Sequence, residues 1–184
     1  MSATNWMIDP THTQVEFGVK HMMFTTVRGS FSAFEGSVDF NAEDVGESTV
    51  SVTIDAASID TGVADRDAHL RSGDFFDVEQ FPQITFRSTR VEGSLAAGGS
   101  FKIHGDLTIR GETRSVELDA SFDGTGTDPW GGTRAGFTAT TKVDRRDFGL
   151  TWNQALETGG VLVGHDISIS LQVQAVLQAE AAAV

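Results

Sequence analysis

Side chains able to do chemistry are few and scattered in this chain of 184 residues, which has five His and no Cys. Without thiolates, disulfide scaffolds, iron–sulfur clusters and Cys-ligated zinc are excluded. The histidines are His12, His21, His69, His104 and His165, and no pair has tight ligand spacing. A metal-assisted enzyme would have to draw on His21, His69 and one further group brought together by folding. No H-E-x-x-H, P-loop or G-x-S-x-G is present, and Gly124-Thr125-Gly126 runs into Pro129 where a dinucleotide fingerprint needs its third glycine. The densest polar cluster is Arg66, Asp67, His69, Arg71 and Asp74, between two apolar runs. It reads either as a network fixing a helix to its support or as a clamp for a phosphate or carbonyl. Arg145, Arg146 and Asp147 carry the same two readings. His21 continues the apolar phase of Val15, Phe17 and Val19. It is either a hydrogen-bonded buried histidine or a polar contact for a ligand head group. Met22, Met23 and Phe24 follow it and read as a pliable apolar mouth or as core filler.

The elements that must position these groups are strands. Gly counts 20, Pro 3, Phe 13 and Tyr none, a strand-and-turn composition whose rings need a dry interior. Period-two alternation is sustained from Ile167 to Ala175 and recurs around Phe101–Ile109, Val116–Phe122, Ala135–Val143, Val50–Ile54 and Val15–Val19. Eight strands follow, over 13–20, 29–40, 49–55, 83–91, 100–109, 113–123, 133–144 and 164–176. Short Gly-rich links imply antiparallel neighbours. The second strand breaks phase between Phe31 and Phe34, which predicts a bulge or bend. Residues 63–72 read as a short helix with Asp60 or Thr61 at its N-cap and Gly73 as C-cap. An all-β set with one apolar face per strand closes into a sandwich or an antiparallel barrel, and strands this long favour a tall barrel able to hold a slender ligand. By strand phase, Phe17, Val19, Phe34, Phe86, Ile103, Leu107, Phe137 and Ile169 point inward.

Net charge is −13, with 13 Lys plus Arg against 26 Asp plus Glu, and the basic residues are dispersed. Binding to nucleic acid or to anionic surfaces through general electrostatics is disfavoured. No apolar run approaches transmembrane length. Met1–Met7 has neither a basic n-region nor an apolar h-region, so a secretory signal is not expected and a cytoplasmic location is. The chain reads as one domain over 1–184, with residues 179–184 as a frayed Ala-rich tail.

Several segments resemble a known family. They include Trp6-Met7-Ile8-Asp9-Pro10-Thr11-His12 and Phe17-Gly18-Val19-Lys20-His21-Met22-Met23. The most telling block is Arg66-Asp67-Ala68-His69-Leu70-Arg71-Ser72-Gly73-Asp74-Phe75-Phe76-Asp77. Gly105-Asp106-Leu107-Thr108-Ile109-Arg110-Gly111 and Arg146-Asp147-Phe148-Gly149-Leu150-Thr151-Trp152 complete the match. The chain resembles YceI-like proteins, lipocalin-like polyisoprenoid-binding barrels. That resemblance implies an extended eight-stranded antiparallel barrel with a helix near one opening. Its tunnel would carry or sequester a long isoprenoid, such as a polyprenyl phosphate or quinone, or a similar amphiphilic lipid. No cofactor or catalytic residue is implied beyond that lipid, and some relatives form homodimers. His21 and Arg71 are the candidate head-group contacts. A barrel without a specific ligand, structural or stress-related, is the blander alternative.

Overall fold

The computed structural model describes residues 3–178 except 42, 95 and 97. Eleven strands are β1 Thr4–Ile8, β2 Gln14–His21, β3 Thr25–Phe31, β4 Phe34–Phe40, β5 Thr49–Asp55, β6 Ile59–Asp60, β7 Gln83–Gly93, β8 Ser100–Ile109, β9 Glu112–Thr127, β10 Thr133–Asp144 and β11 Asp166–Leu177. They make eight staves, because three staves are each broken once. β1 and β2 are halves of one bent stave, since both pair with β11 along its length. β3 and β4 are the two halves of the next, joined through Ser32 and Ala33. β5 and β6 are separated by a 3-10 turn at Ala56–Ser58. Neighbouring staves are antiparallel and follow chain order, and β11 returns to β1 and β2 to close the ring. Closure leaves no long open edge.

The predicted strands 49–55, 100–109 and 133–144 coincide with β5, β8 and β10, and the phase break after Phe31 is the gap between β3 and β4. Two strands were not foreseen, the two-residue β6 and β1, and β3 begins at Thr25, four residues before the expected start. Thr4–Ile8 is β1, whose buried Trp6 and Ile8 pair with β4 and β11. Five residues followed by Pro10 are too short for alternation to register. The jog between β1 and β2 is pinned from outside. Asp9 accepts from Thr11, from His12 and from Arg134 Nη1 at 2.7 Å, and Arg134 also reaches Asp128 at 2.8 Å.

The helix, α1 Ala64–Arg71, lies where the sequence puts it, but its caps differ. Val63 is the N-cap residue and has no side-chain cap bond, and Ser72 is the C-cap. Asp60 caps the turn at Gly62 instead, and Thr61 is held by Asp67 from within the helix. The two polar residues are thus used up one step before the helix begins. The polar cluster works as a network. Arg66 binds Thr61, Arg71 donates to the carbonyls of Ala57 (2.8 Å) and Ile59 (3.0 Å), and His69 meets Asp74 at 2.8 Å. These bonds hold a polar helix with little apolar surface of its own onto β6 and the adjoining turn.

The two ends differ. The helix end carries α1, the β2–β3 and β8–β9 hairpins and the β10–β11 connection. The far end carries the β4–β5, β7–β8 and β9–β10 connections. Near the far end Phe40, Phe122 and Phe137 meet with ring centroids 5.4–6.3 Å apart.

Candidate functional site

Inside the ring is one long cavity of about 260 Å³, lined by inward residues from every stave. Along β8 the lining runs from Phe101 to Ile109, which spans roughly 20 Å of barrel axis at ~3.3 Å per residue and a ~40° tilt. A volume of this size drawn out over that length is a narrow tunnel. It suits an extended chain rather than a fused-ring molecule. The wall is mostly Val, Ile, Leu, Phe and Ala, with the Thr13, Ser48 and Thr141 hydroxyls, Glu16 and Arg145 among its polar groups.

Two inward glycines keep the tunnel open. Phe17 pairs across the hairpin with Gly29, and its ring lies so close that a Cβ on Gly29 would stand 2.4 Å from Phe17 Cζ. A Cβ on Gly105 would be 2.4 Å from Phe86 Cζ and 2.6 Å from the Arg87 carbonyl oxygen. The missing side chains let both rings lie flat against the wall.

At the helix end Phe75, Phe76, Phe148 and Leu150 close over part of the lumen. Arg110 fastens this cover by donating to the carbonyls of Phe75 (3.0 Å) and Gly149 (3.4 Å). Arg145 stands beside it, only 4% exposed. Its guanidinium donates to the carbonyls of Gly164 (2.8 Å), Leu150 (2.6 Å), Trp152 (2.9 Å) and Val163 (3.3 Å). Burial pushes its pKa below the usual value, with the Asp144 carboxylate opposing that shift. It is the internal strut of the long β10–β11 connection. Arg146 points outward to Asp144, holding that carboxyl down at about 2.

Phe17, Val19, Phe34, Phe86, Ile103, Leu107, Phe137 and Ile169 all face the cavity. His21 and Arg71 do not line it. His21 forms a bridge with Val163 at the hairpin end, and Arg71 is spent on two carbonyls behind the helix. His69 is turned toward Asp74, Phe75 and Trp152. Among the described residues no three His, Asp or Glu side chains gather where they could hold a metal ion. Sequence reasoning left Arg145 with two open roles, and nothing local shows that its acceptors lie up to 19 residues away. The wall glycines gave a clearer signal, since Gly105 interrupts an otherwise apolar inward phase between Ile103 and Leu107.

The comparisons agree with this architecture. The model of the YceI-like domain matches residues 6–175. The chain belongs to the YceI-like family. A UPF0312 protein of Vibrio parahaemolyticus is 38% identical over 150 residues, covering 80% of this chain and 78% of the relative. One from Staphylococcus aureus is 39% identical over 165 residues, covering 89% and 92%. Among solved structures, BcnA of Burkholderia cenocepacia superposes with a TM-score of 0.77 at 24% identity, covering 91% of this chain and 98% of BcnA. The YceI protein of Campylobacter jejuni gives 0.71 at 28%, covering 87% and 90%. A polyisoprenoid binding domain from Saccharophagus degradans gives 0.69 at 14%, covering 94% and 98%, which is a likeness of fold. The described residues of this YceI-like chain thus form a closed eight-stave antiparallel barrel with one α-helix at one end.

Proposed function

We propose that this YceI-like barrel binds one slender apolar chain along its axis and carries or sequesters it. An isoprenoid with a small head group, a polyprenyl phosphate or quinone, is the favoured class, and the protein acts as a binder rather than an enzyme. The continuous apolar tunnel carries this reading. A catalytic site needs convergent polar groups, and the polar side chains around this lumen do not converge: Arg145 binds backbone carbonyls, Thr13 and Thr141 each donate to one, Ser48 accepts from the Asn41 N–H, and Glu16 is exposed. Each buried CH₂ is worth about 0.8 kcal/mol, so ten chain carbons nominally supply about 8 kcal/mol before the cost of ordering the chain. That suits slow release. The name of the Saccharophagus degradans neighbour points to the same ligand class.

Native mass spectrometry of gently purified protein, followed by organic extraction, tests the reading. A long-chain prenyl lipid at near one per chain is the expected result. A clean unliganded mass, unchanged after incubation with polyprenyl phosphates, quinones and fatty amides, would overturn it.

A further inference from the structure

The β2–β3 hairpin ends in three consecutive exposed apolar residues, Met22 (40% exposed), Met23 (66%) and Phe24 (80%). Soluble surfaces carry single exposed apolar residues routinely, but a contiguous apolar tip marks a contact site. The backbone here is unusual as well. Met22 and Met23 both have positive φ, 49° and 65°, and the turn is closed by the Phe24 N–H bonding to the His21 carbonyl at 3.0 Å. Turns of this hand favour Gly or Asn, which adopt left-handed φ with less strain and keep the tip polar. Two methionines here are worse for the isolated fold on both counts. Their presence therefore calls for an apolar partner outside the chain.

Three observations identify that partner. The tip belongs to the tunnel's end: Val19, just below it on β2, and Val163, bridged to His21, both line the cavity and are half-buried. The tip is braced there, with Met22 N–H on the Leu162 carbonyl at 2.7 Å and Met23 packed over Gly160. The strands behind the tip carry exposed Lys20, two residues before Met22, and exposed Arg28, four residues after Phe24 and opposite Gly18, in a chain of net charge −13. An apolar tip with long basic side chains set back along its two strands is the chemistry of the water–lipid boundary, where rings and thioethers enter the acyl region and cations stay among the phosphates. We infer that the Met22-Met23-Phe24 hairpin is a membrane-docking tip that seats the tunnel mouth on a phospholipid bilayer, so that a chain passes between bilayer and tunnel without crossing water. The inference rests on the tunnel reading above and adds the source of the ligand.

The test uses the full chain and vesicles of phosphatidylcholine. Wild type is expected to co-float with the vesicles, and M23S/F24S to lose at least tenfold in vesicle affinity. Met23 loses its packing over Gly160, so the thermal midpoint falls slightly, while uptake of a short prenyl alcohol supplied in solution stays unchanged. Because the net charge is −13, adding phosphatidylserine weakens binding instead of strengthening it. Trp130, 87% exposed on the β9–β10 turn at the opposite end, reports orientation. Its iodide quenching stays unchanged on docking. Wild type that ignores vesicles, a double variant that binds them equally well, or shielding of Trp130 would each overturn the inference. Failure of prenyl uptake from solution would instead strike the tunnel reading, so the two can be separated.

Discussion

Ala139 gives the sharpest test of an axial chain. It sits mid-strand on β10, opposite Leu171 on one side and Ala120 on the other, and faces the cavity. Ala139→Leu adds three carbons to the lumen. If the ligand lies along the axis, those carbons take the place of about three of its own. At about 0.8 kcal/mol per CH₂ the loss is about 2.4 kcal/mol, or roughly 60-fold in affinity. The unliganded protein should move the other way, because new apolar atoms fill empty space, a change worth about 0.5–2 kcal/mol of added stability. Opposite signs in the two assays are the signature. Titration with a fluorescent prenyl probe reads the first, and urea unfolding reads the second. Thr140→Leu points outward from the same strand and serves as the control. Unchanged affinity in Ala139→Leu with raised stability would mean that the chain bypasses mid-barrel. Lowered stability would mean that Ala139 is packed and not beside a void.

Three further outcomes follow from the same geometry. Gly105→Ala forces its methyl against a backbone oxygen as well as the Phe86 ring, so it should cost about 1–3 kcal/mol in urea unfolding, and a neutral result would refute the wall-glycine argument. Arg134, Thr11 and His12 hold the Asp9 carboxyl well below the usual carboxylate range, so its contribution is complete above the unfolded value near ~3.9 and fades as pH falls toward the folded value. Asp9→Asn should therefore flatten stability against pH below about 4 and lower it at neutral pH; an unaltered acid profile would remove Asp9 from that role. Arg71→Ala removes two bonds to carbonyls and should speed hydrogen exchange in α1 and the Ala56–Ser58 turn while leaving prenyl affinity within about twofold. A large loss of affinity would restore Arg71 as a head-group contact.

Strand parity was legible because it is local. Once Phe101, Ile103 and Leu107 share a phase, they share a face wherever the strand goes. That reasoning placed eight side chains on the lumen wall, and the same two-residue period located β5, β8 and β10 to the residue. It failed for β1, which owes its existence to pairing with β4 and β11 far along the chain. It also failed for His21, where parity holds but the strand has already reached the rim. The roles of Arg71 and Arg145 were decided by acceptors distant in sequence. One guanidinium ties the helix to β6 and the other braces the β10–β11 connection. The sequence by itself determined the alternating faces, the helix and the apolar character of the interior, all set by residues within a few positions of one another. Only the tertiary structure decided where the staves break, how the ring closes, which rings lie flat over glycines and which end presents an apolar tip. Those depend on long-range register, and no local pattern encodes which distant backbone will arrive beside a given side chain.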